Sequence, residues 1–194
     1  MAIDSSPWSH REAPASDLEL VKLQPDLLNA LAHGEEEIAK ILSPNRLTPY
    51  LISDCQPVWE RRRKQIVNNP DDRPWVTRLL VHKPSGNAVG RAGFHGAPDE
   101  RGMVEIGYAI DPSYRRRGYA RAANNILLEA AAKCQEVKVV RATVQPSNVA
   151  STNLILSFGF EKVGEQWDDE DGLETIFERP SEAKQESGRT STAT

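Results

Sequence analysis

The chain has 194 residues, 39% of them hydrophobic, and a formal net charge of −4. This length suits one domain with a buried core, and the negative charge argues against a general affinity for nucleic acid. No stretch approaches the roughly 20 apolar residues that a membrane-spanning helix needs, so we expect no membrane partner. Two cysteines, Cys55 and Cys134, are too few for a disulfide framework and lack metal-site spacing. We therefore expect two free thiols, no bound metal and a cytoplasmic location.

Polar, aperiodic segments lie at both ends of the chain, at residues 1–16 and 181–194. Such composition buries little apolar surface, so we predict that both segments are disordered. The folded unit is then a single domain over residues 17–180.

The first half of this domain predicts a strand, then helices, then a hairpin. "LELVKL" (18–23) reads as a strand, and the helical pattern after it is interrupted at Gly34. A second helical stretch follows Pro57 and includes "WERRRKQ", which reads as the polar face of an amphipathic helix. "WVTRLLVHK" and "AVGRAGFHG" are apolar runs joined by the turn "PSGN", which predicts a hairpin.

The second half predicts a βαβ unit, a short helix and a final hairpin. Apolar spacing changes from period two in 103–111 to helical in 118–134, and a strand follows at 137–144. Asn148 is placed to cap the next helix, and a hairpin closes across "DEDG". The fold class is therefore α+β, with a mixed, mostly antiparallel sheet of about six or seven strands flanked by helices. The strand at 103–111 directs two sets of side chains to opposite faces: Val104, Ile106, Tyr108 and Ile110 to one, and Glu105, Gly107 and Ala109 to the other.

The stretch "YRRRGYA" lies where a strand gives way to a helix. Free backbone amides and the positive end of the helix together form an anion site at such a point. Gly118 removes the Cβ where an anion would approach the backbone, and Ala120 keeps the next turn small. The alternative is an ordinary helix start with solvated arginines.

The context of this loop resembles the GCN5-related N-acetyltransferase (GNAT) superfamily, and in particular its ribosomal-protein-type branch. The family signature Arg/Gln-x-x-Gly-x-Gly/Ala is matched by Arg115 to Ala120. A second pattern, Asn-x-x-Ser…Gly-Phe, is matched by Asn148, Ser151 and Gly159-Phe160. The resemblance covers residues 75–180, and residues 17–74 only by element order. It implies a splay between the strands at 103–111 and 137–144.

The resemblance also implies how acetyl-CoA, the expected co-substrate, binds. The pantetheine arm would run beside Ala109 and Ile110, with the thioester in the splay, and Asn148 would reach the pantetheine or cap its helix. The pyrophosphate would lie on the amides of the loop residues Arg115, Arg116, Arg117, Gly118, Tyr119 and Ala120.

Acetyl transfer to an amine needs a neutral nitrogen, and deprotonating a lysine-like amine at pH 7 costs about 4.6 kcal/mol. Glu105, inside an otherwise apolar strand, is the leading candidate for the base. The tyrosine that often protonates the thiolate in the family is replaced by Ile155, and Ser151 is the substitute candidate. Tyr108 and Tyr119 are weaker candidates. His82 and His95 read as structural strand residues, and no Ser-His-Asp set is indicated.

The expected function is transfer of an acetyl group to a primary amine by direct attack in a ternary complex. The alternative is a catalytically silent acyl-CoA-binding or regulatory module. The acceptor is expected to be a small-molecule or peptide amine, and the protein a monomer or homodimer. The acidic stretch "DDEDGLE" (168–174) is either a solvated hairpin tip or a surface that attracts a cationic amine.

Overall fold

A mixed, mostly antiparallel sheet of eight strands runs through the molecule, whose computed structural model describes residues 3, 6–12, 15–169 and 172–181. The strands are β1 (Trp8–Ser9), β2 (Leu18–Val21), β3 (Arg78–His82), β4 (Asn87–Phe94), β5 (Met103–Ile110), β6 (Val139–Val144), β7 (Glu161–Asp168) and β8 (Gly172–Pro180). They are ordered β1-β2-β3-β4-β5-β6-β8-β7. The helices are α1 (Pro25–His33), α2 (Glu36–Leu42), α3 (Gln56–Asn68), α4 (Tyr119–Lys133) and α5 (Val149–Leu156). The predicted α+β class is confirmed, and β1 is the strand that the prediction lacked.

Helices cover both faces of the sheet. On one face, Ile126 and Leu127 of α4 join Val104 and Ile106 of β5 in one buried cluster, to which Ile155 of α5 also belongs. A second cluster on the opposite face unites α1–α3 with β3. In both cases the apolar side of a helix covers apolar strand residues, and burial of that surface stabilises the fold at about 25 cal/mol per Å².

The predicted splay between β5 and β6 is present. These two strands run parallel and are paired only at Met103, Val104 and Glu105, although β5 continues to Ile110 and β6 to Val144. On its other edge, β6 pairs with β8 along its whole length, and these two strands are antiparallel. An opening therefore divides the sheet at its centre.

The N-terminal segment differs from its prediction. Trp8–Ser9 pairs with Leu20 and Glu19 of β2, and Trp8 is buried. The guanidinium of Arg78 lies 3.5 Å from the centre of the Trp8 ring, and this stacking, together with ring contact to Phe94, holds the segment. Disorder of residues 1–16 is thus wrong for Trp8 and Ser9, because one aromatic side chain finds a partner that composition does not reveal.

Ser181, which the prediction placed in the disordered tail, belongs to the folded domain. Ser181 is buried, its N–H donates to the carbonyl of Lys138, and its hydroxyl donates to that of Val137. The remaining tail, 182–194, lies outside the described residues. Within the part of the chain that the structure describes, no helix is both long and apolar enough to cross a membrane.

We expect Phe94→Ala to lower the free energy of unfolding by about 3–5 kcal/mol, since Phe94 is fully buried between Trp8 and Trp75. Urea denaturation measures this loss. Ile41→Ala, at a residue that is 82% exposed, is the control and should change stability by no more than about 0.5 kcal/mol. Equal effects of the two substitutions would contradict the assignment of Phe94 to the core.

Candidate active site

The loop between β5 and α4 presents backbone amides at the start of a 15-residue helix. Gly118 is the N-cap residue with φ +80°, and Arg116 has φ +61°. The Ala122 N–H donates to the Gly118 carbonyl at 3.0 Å, which is the first bond of the helix ladder. The N–H groups of residues 119–121 therefore precede the ladder. Together with the positive end of the helix they form a site for an anion.

The three arginine side chains of this loop point in different directions. Arg115 Nε donates to the Ile110 carbonyl at 3.1 Å, which ties the loop to the end of β5. The guanidinium of Arg117 lies 5.3 Å from the Tyr114 ring centre. The side chain of Arg116 is exposed at the loop surface. Two of the arginines therefore shape the loop, and the arginine count is less important than the backbone conformation.

A groove of about 630 Å³ runs from this loop along the end of β5 to α5. Asn148, Ser151 and Leu154 form the α5 wall. The groove collects every predicted coenzyme residue except Arg117, which lines a separate surface pocket with Tyr114. The predicted contact between the Arg117 amide and a coenzyme pyrophosphate does not involve this side chain and stays a prediction. The predicted coenzyme residues that line the groove are Ala109, Ile110, Arg115, Arg116, Gly118, Tyr119, Ala120 and Asn148.

The backbone of β5 is available to a ligand on the side of the splay. The Asp111 N–H and the Glu105 carbonyl bond to β4, so the alternating pattern turns the odd-numbered backbone groups toward β4. The N–H and C=O groups of Ile106, Tyr108 and Ile110 then face the splay. The sequence predicted backbone contacts near Ala109 and Ile110. The register places the backbone groups of Ala109 in the β4 ladder, opposite Arg91, and turns those of Tyr108 and Ile110 toward the splay.

A second cavity, of about 370 Å³, lies on the other side of the splay. It meets the first groove at Tyr108, Asn148 and Ser151, which line both. Two binding volumes are thus joined through the gap between β5 and β6. A ligand in one can contact a ligand in the other at this junction.

Two hydroxyl groups lie at the junction. Tyr108 Oη and Ser151 Oγ are 2.7 Å apart, and burial raises the pKa of Tyr108. Asn148 caps α5 as predicted, because its Oδ1 accepts from the Ser151 N–H at 3.1 Å. Ile155 is fully buried in the wall of the second cavity, at the position of the family's tyrosine.

Glu105 lies beneath the second cavity and is held by two side chains that line it. Thr143 Oγ1 donates to Glu105 Oε1 at 2.6 Å, and His95 Nδ1 is 3.4 Å from the same oxygen. A Cβ at Gly107 would lie 2.6 Å from His95 Nε2, so only glycine leaves room for the imidazole there. His95 and Thr143 therefore lie between the Glu105 carboxylate and the cavity.

Three arginines line the same cavity: Arg61 and Arg62 from α3, and Arg91 from β4. Partial burial of its ring, which leaves 45% of the side chain exposed, and then the charges of Arg62, Arg61 and Arg91 lower the pKa of His95 to about 4. Its imidazole is therefore neutral at pH 7. The sequence interpretation of "WERRRKQ" as a polar helix face is thus wrong for Arg62, which is buried against the sheet, whereas Arg61 is exposed at the mouth of the cavity.

Arg62 is also a structural residue. Its Nε donates to Thr77 Oγ1 at 3.1 Å and its Nη1 to the His95 carbonyl at 3.1 Å. Gln65 reinforces this arrangement by donating to the same carbonyl and to Asp72. Burial, followed by Arg61 and Arg91, lowers the pKa of Arg62 to about 10. The network fixes the end of β4 and with it the position of His95.

The lowered pKa of His95 predicts a pH-dependent stability difference. In the unfolded chain a histidine has a pKa of about 6.5. Between about 6.5 and 4 the unfolded chain binds a proton that the folded chain does not, so stability falls as the pH falls through this window. His95→Gln removes this contribution.

We therefore expect the melting temperature of the wild type relative to His95→Gln to be lower at pH 5 than at pH 7. From pH 7 to pH 8 the difference should stay constant, because the imidazole is neutral in both states. Differential scanning calorimetry of the two proteins checks this. A difference that is constant from pH 8 to pH 5 would contradict the lowered pKa.

Sequence reasoning missed His95 and the three cavity arginines. A lone histidine and a basic run have no local signature, and only the packing of α3 against the sheet brings them together. The acidic hairpin was recognised, and its Glu174 does line the cavity, whereas Glu170 and Asp171 lie outside the described residues. Tyr119 lies 5.8 Å from His82, ring to ring. The described residues contain no group of three or more histidine, cysteine or acidic side chains that could hold a metal.

A helix start with free backbone amides thus lies beside two splayed parallel strands, with a cavity on either side of the splay. The family model described as "Acetyltransferase (GNAT) domain" matches residues 17–161, and the chain belongs to this family. Its enzymatic activity is accordingly that of an acetyltransferase.

Relatives and solved structures agree with this assignment. The chain is 29% identical over 143 residues to YjdG of Bacillus subtilis (strain 168), an uncharacterized N-acetyltransferase, covering 74% of this chain and 85% of the relative. A crystal structure of a ribosomal-protein-S5-alanine acetyltransferase from Vibrio fischeri superposes with a TM-score of 0.61 at 16% identity, covering 89% and 96% of the two chains. A mutant of spermidine N-acetyltransferase SpeG from Vibrio cholerae gives 0.60 at 14% identity, covering 86% and 95%. At these identities the structures show the fold alone.

Proposed function

We propose that the protein transfers an acetyl group from acetyl-CoA to a primary amine by direct attack in a ternary complex. The observation that carries this proposal is the meeting of two binding volumes at the splay. One volume begins at the anion site of α4 and suits a long, phosphate-bearing co-substrate. The other reaches the same junction from the opposite side and suits an amine.

The chain's residues fit acetyl-CoA in the groove. The amides of residues 115–120 would hold its pyrophosphate, each charge-assisted hydrogen bond contributing about 1.5–3 kcal/mol. Gly118, with φ +80°, presents the loop without strain. The splay-facing backbone groups of Tyr108 and Ile110 would pair with the pantetheine arm, and Asn148 lies beside it. When bound, acetyl-CoA supplies a thioester whose C–S bond breaks as the C–N bond of the product amide forms.

We propose Glu105 as the base, acting through His95. The carboxylate already accepts a hydrogen bond from Thr143, and the imidazole lies between it and the cavity. With Nδ1 turned to Glu105, Nε2 over Gly107 is the atom that takes the proton of the attacking amine. The imidazole is neutral at pH 7, and the Glu105 carboxylate beside Nδ1 would stabilise the imidazolium that forms when Nε2 takes the proton.

A hydroxyl group at the junction would return a proton to the departing thiolate. Ser151 remains the predicted donor, and its bond to Tyr108 Oη makes the two a linked pair. Steady-state kinetics of Tyr108→Phe and Ser151→Ala separate the two hydroxyls. Turnover should fall in the variant that lacks the proton donor, because the departing coenzyme A thiolate has a high pKa.

The test of the proposed function is release of free coenzyme A from acetyl-CoA upon addition of primary amines. Amine-dependent release supports an N-acetyltransferase. Tight binding of acetyl-CoA without release, across peptides, polyamines, amino acids and aminoglycosides, would instead indicate a silent acyl-CoA-binding module.

A further inference from the structure

Positive side chains predominate among the charged residues that line the 370 Å³ cavity. Arg61, Arg62 and Arg91 line it, against the single carboxylate of Glu174. The arginines come from two separate elements, α3 and β4, so their convergence is a feature of the fold and not of a basic run. Asp72 and Glu105 act on Arg62 from behind the wall, but neither lines the cavity.

Part of this positive charge has no carboxylate partner among the described residues. Within residues 15–169 and 172–181, no carboxylate forms an ion pair with Arg62 or Arg91. Glu174 instead accepts a hydrogen bond from Gln166 at 2.9 Å. The Nε of Arg91 is buried and has no hydrogen-bond partner among the described residues. A buried donor without an acceptor destabilises the fold.

We propose that the acceptor is a small primary amine that also carries a carboxylate or a phosphate group, and that Arg91, with Arg61, binds this anionic group in the cavity. The inference rests on the proposed function and specifies its substrate class. A guanidinium matches both anions through paired N–H donors. With the anion at the arginines, the amine of the same molecule is directed toward His95 and the splay.

Two further observations agree with this class. The volume of the cavity lies at the lower end of the range for small-molecule sites, about 300–1,000 Å³. The three guanidinium groups also line the cavity together with His95 and so place positive charge near the imidazole proposed to accept the amine proton. A polycationic amine would be repelled there, whereas an amine with a compensating anion would not.

The experiment compares matched acceptors at saturating acetyl-CoA. One arm pairs each of the standard L-amino acids with its carboxamide, and the other pairs O-phosphoethanolamine with ethanolamine. Putrescine and spermidine form the cationic set. We expect the anionic member of at least one arm to have a kcat/KM at least tenfold higher than its partner, and the arm that responds identifies the anion.

Variants locate the effect in the cavity. Arg91→Gln should raise KM for the preferred anionic acceptor about tenfold or more, since a bidentate charged contact is worth about 1.5–3 kcal/mol. The dissociation constant for acetyl-CoA should not change. Arg63→Gln, on the same helix as Arg61 but outside the cavity lining, is the matched control and should behave as wild type.

Equal or faster turnover of the neutral or cationic amines would overturn the inference while leaving the acetyltransferase function intact. The absence of turnover with every amine of the panel, by a protein that binds acetyl-CoA, would also overturn it. Failure to bind acetyl-CoA would contradict the proposed function itself, and titration calorimetry with acetyl-CoA identifies that case separately.

Discussion

Gly118→Asp should weaken acetyl-CoA binding by at least about 100-fold. The substitution adds a negative charge and a Cβ to the residue that begins α4, where the pyrophosphate of the co-substrate is proposed to lie. Loss of two charge-assisted hydrogen bonds alone costs about 3 kcal/mol or more, which corresponds to this factor. Gly118 also has φ +80°, a conformation that a side chain adopts at some cost. Isothermal titration with acetyl-CoA measures the effect.

Two controls separate the anion site from its alternatives. Gly86→Asp places the same side chain at φ +67° in the turn between β3 and β4, where a Cβ would meet nothing within 4 Å. It should reproduce any cost of backbone strain without affecting acetyl-CoA. Arg116→Ala removes an exposed guanidinium from the loop and should weaken binding only about tenfold, as a single charge-assisted contact would. Equal effects of Gly118→Asp and Arg116→Ala would contradict the view that backbone amides do most of the binding.

Glu105→Gln should lower kcat by about 100-fold or more, the contribution typical of general base catalysis. The amide retains an oxygen that can accept from Thr143, so the fold around it should persist. The dissociation constant for acetyl-CoA should stay within about twofold of wild type, because Glu105 does not line the coenzyme groove. Steady-state kinetics and acetyl-CoA titration of the same preparation give both quantities.

The proposed route through His95 also predicts how substitutions of Glu105 and His95 combine. If Glu105 acts through the imidazole, His95→Gln should lose a similar factor and the double variant should lose little more than either single variant. Independent losses that multiply would assign the two residues to separate functions. Thr143→Val removes only a hydrogen bond to Glu105 and should reduce kcat less than either.

The groove proposed for the coenzyme was predictable from the sequence, and the cavity proposed for the acceptor was not. The loop from Arg115 to Ala120 is local: its glycine, its arginines and the helix that follows are adjacent in the chain, so their spacing alone predicts an anion site. Asn148 as a helix cap is local for the same reason. His95 and Arg91 of β4 reach the acceptor cavity only because β4 pairs with β5 and α3 packs over them. That arrangement depends on contacts between distant segments.

The errors of the sequence interpretation have the same origin. Trp8 lies in a polar segment whose composition predicts disorder, and contacts with Arg78 and Phe94 from other strands place it in the core. Backbone direction in β5 depends on which strand each residue bonds, and the register with β4 turns the backbone groups of Ala109 toward β4 and those of Tyr108 toward the splay. Periodicity predicts which side chains share a face of a strand or helix, but it does not reveal which distant residues they contact.

The most direct test of the central claim is a transfer assay with acetyl-CoA that is isotopically labelled in its acetyl group, analysed by mass spectrometry against the panel of primary amines. The structure predicts labelled amide in amounts that match the free coenzyme A released, in the wild type and not in Gly118→Asp. Binding of acetyl-CoA with no labelled amide, or release of coenzyme A with the label recovered only as free acetate, would contradict it.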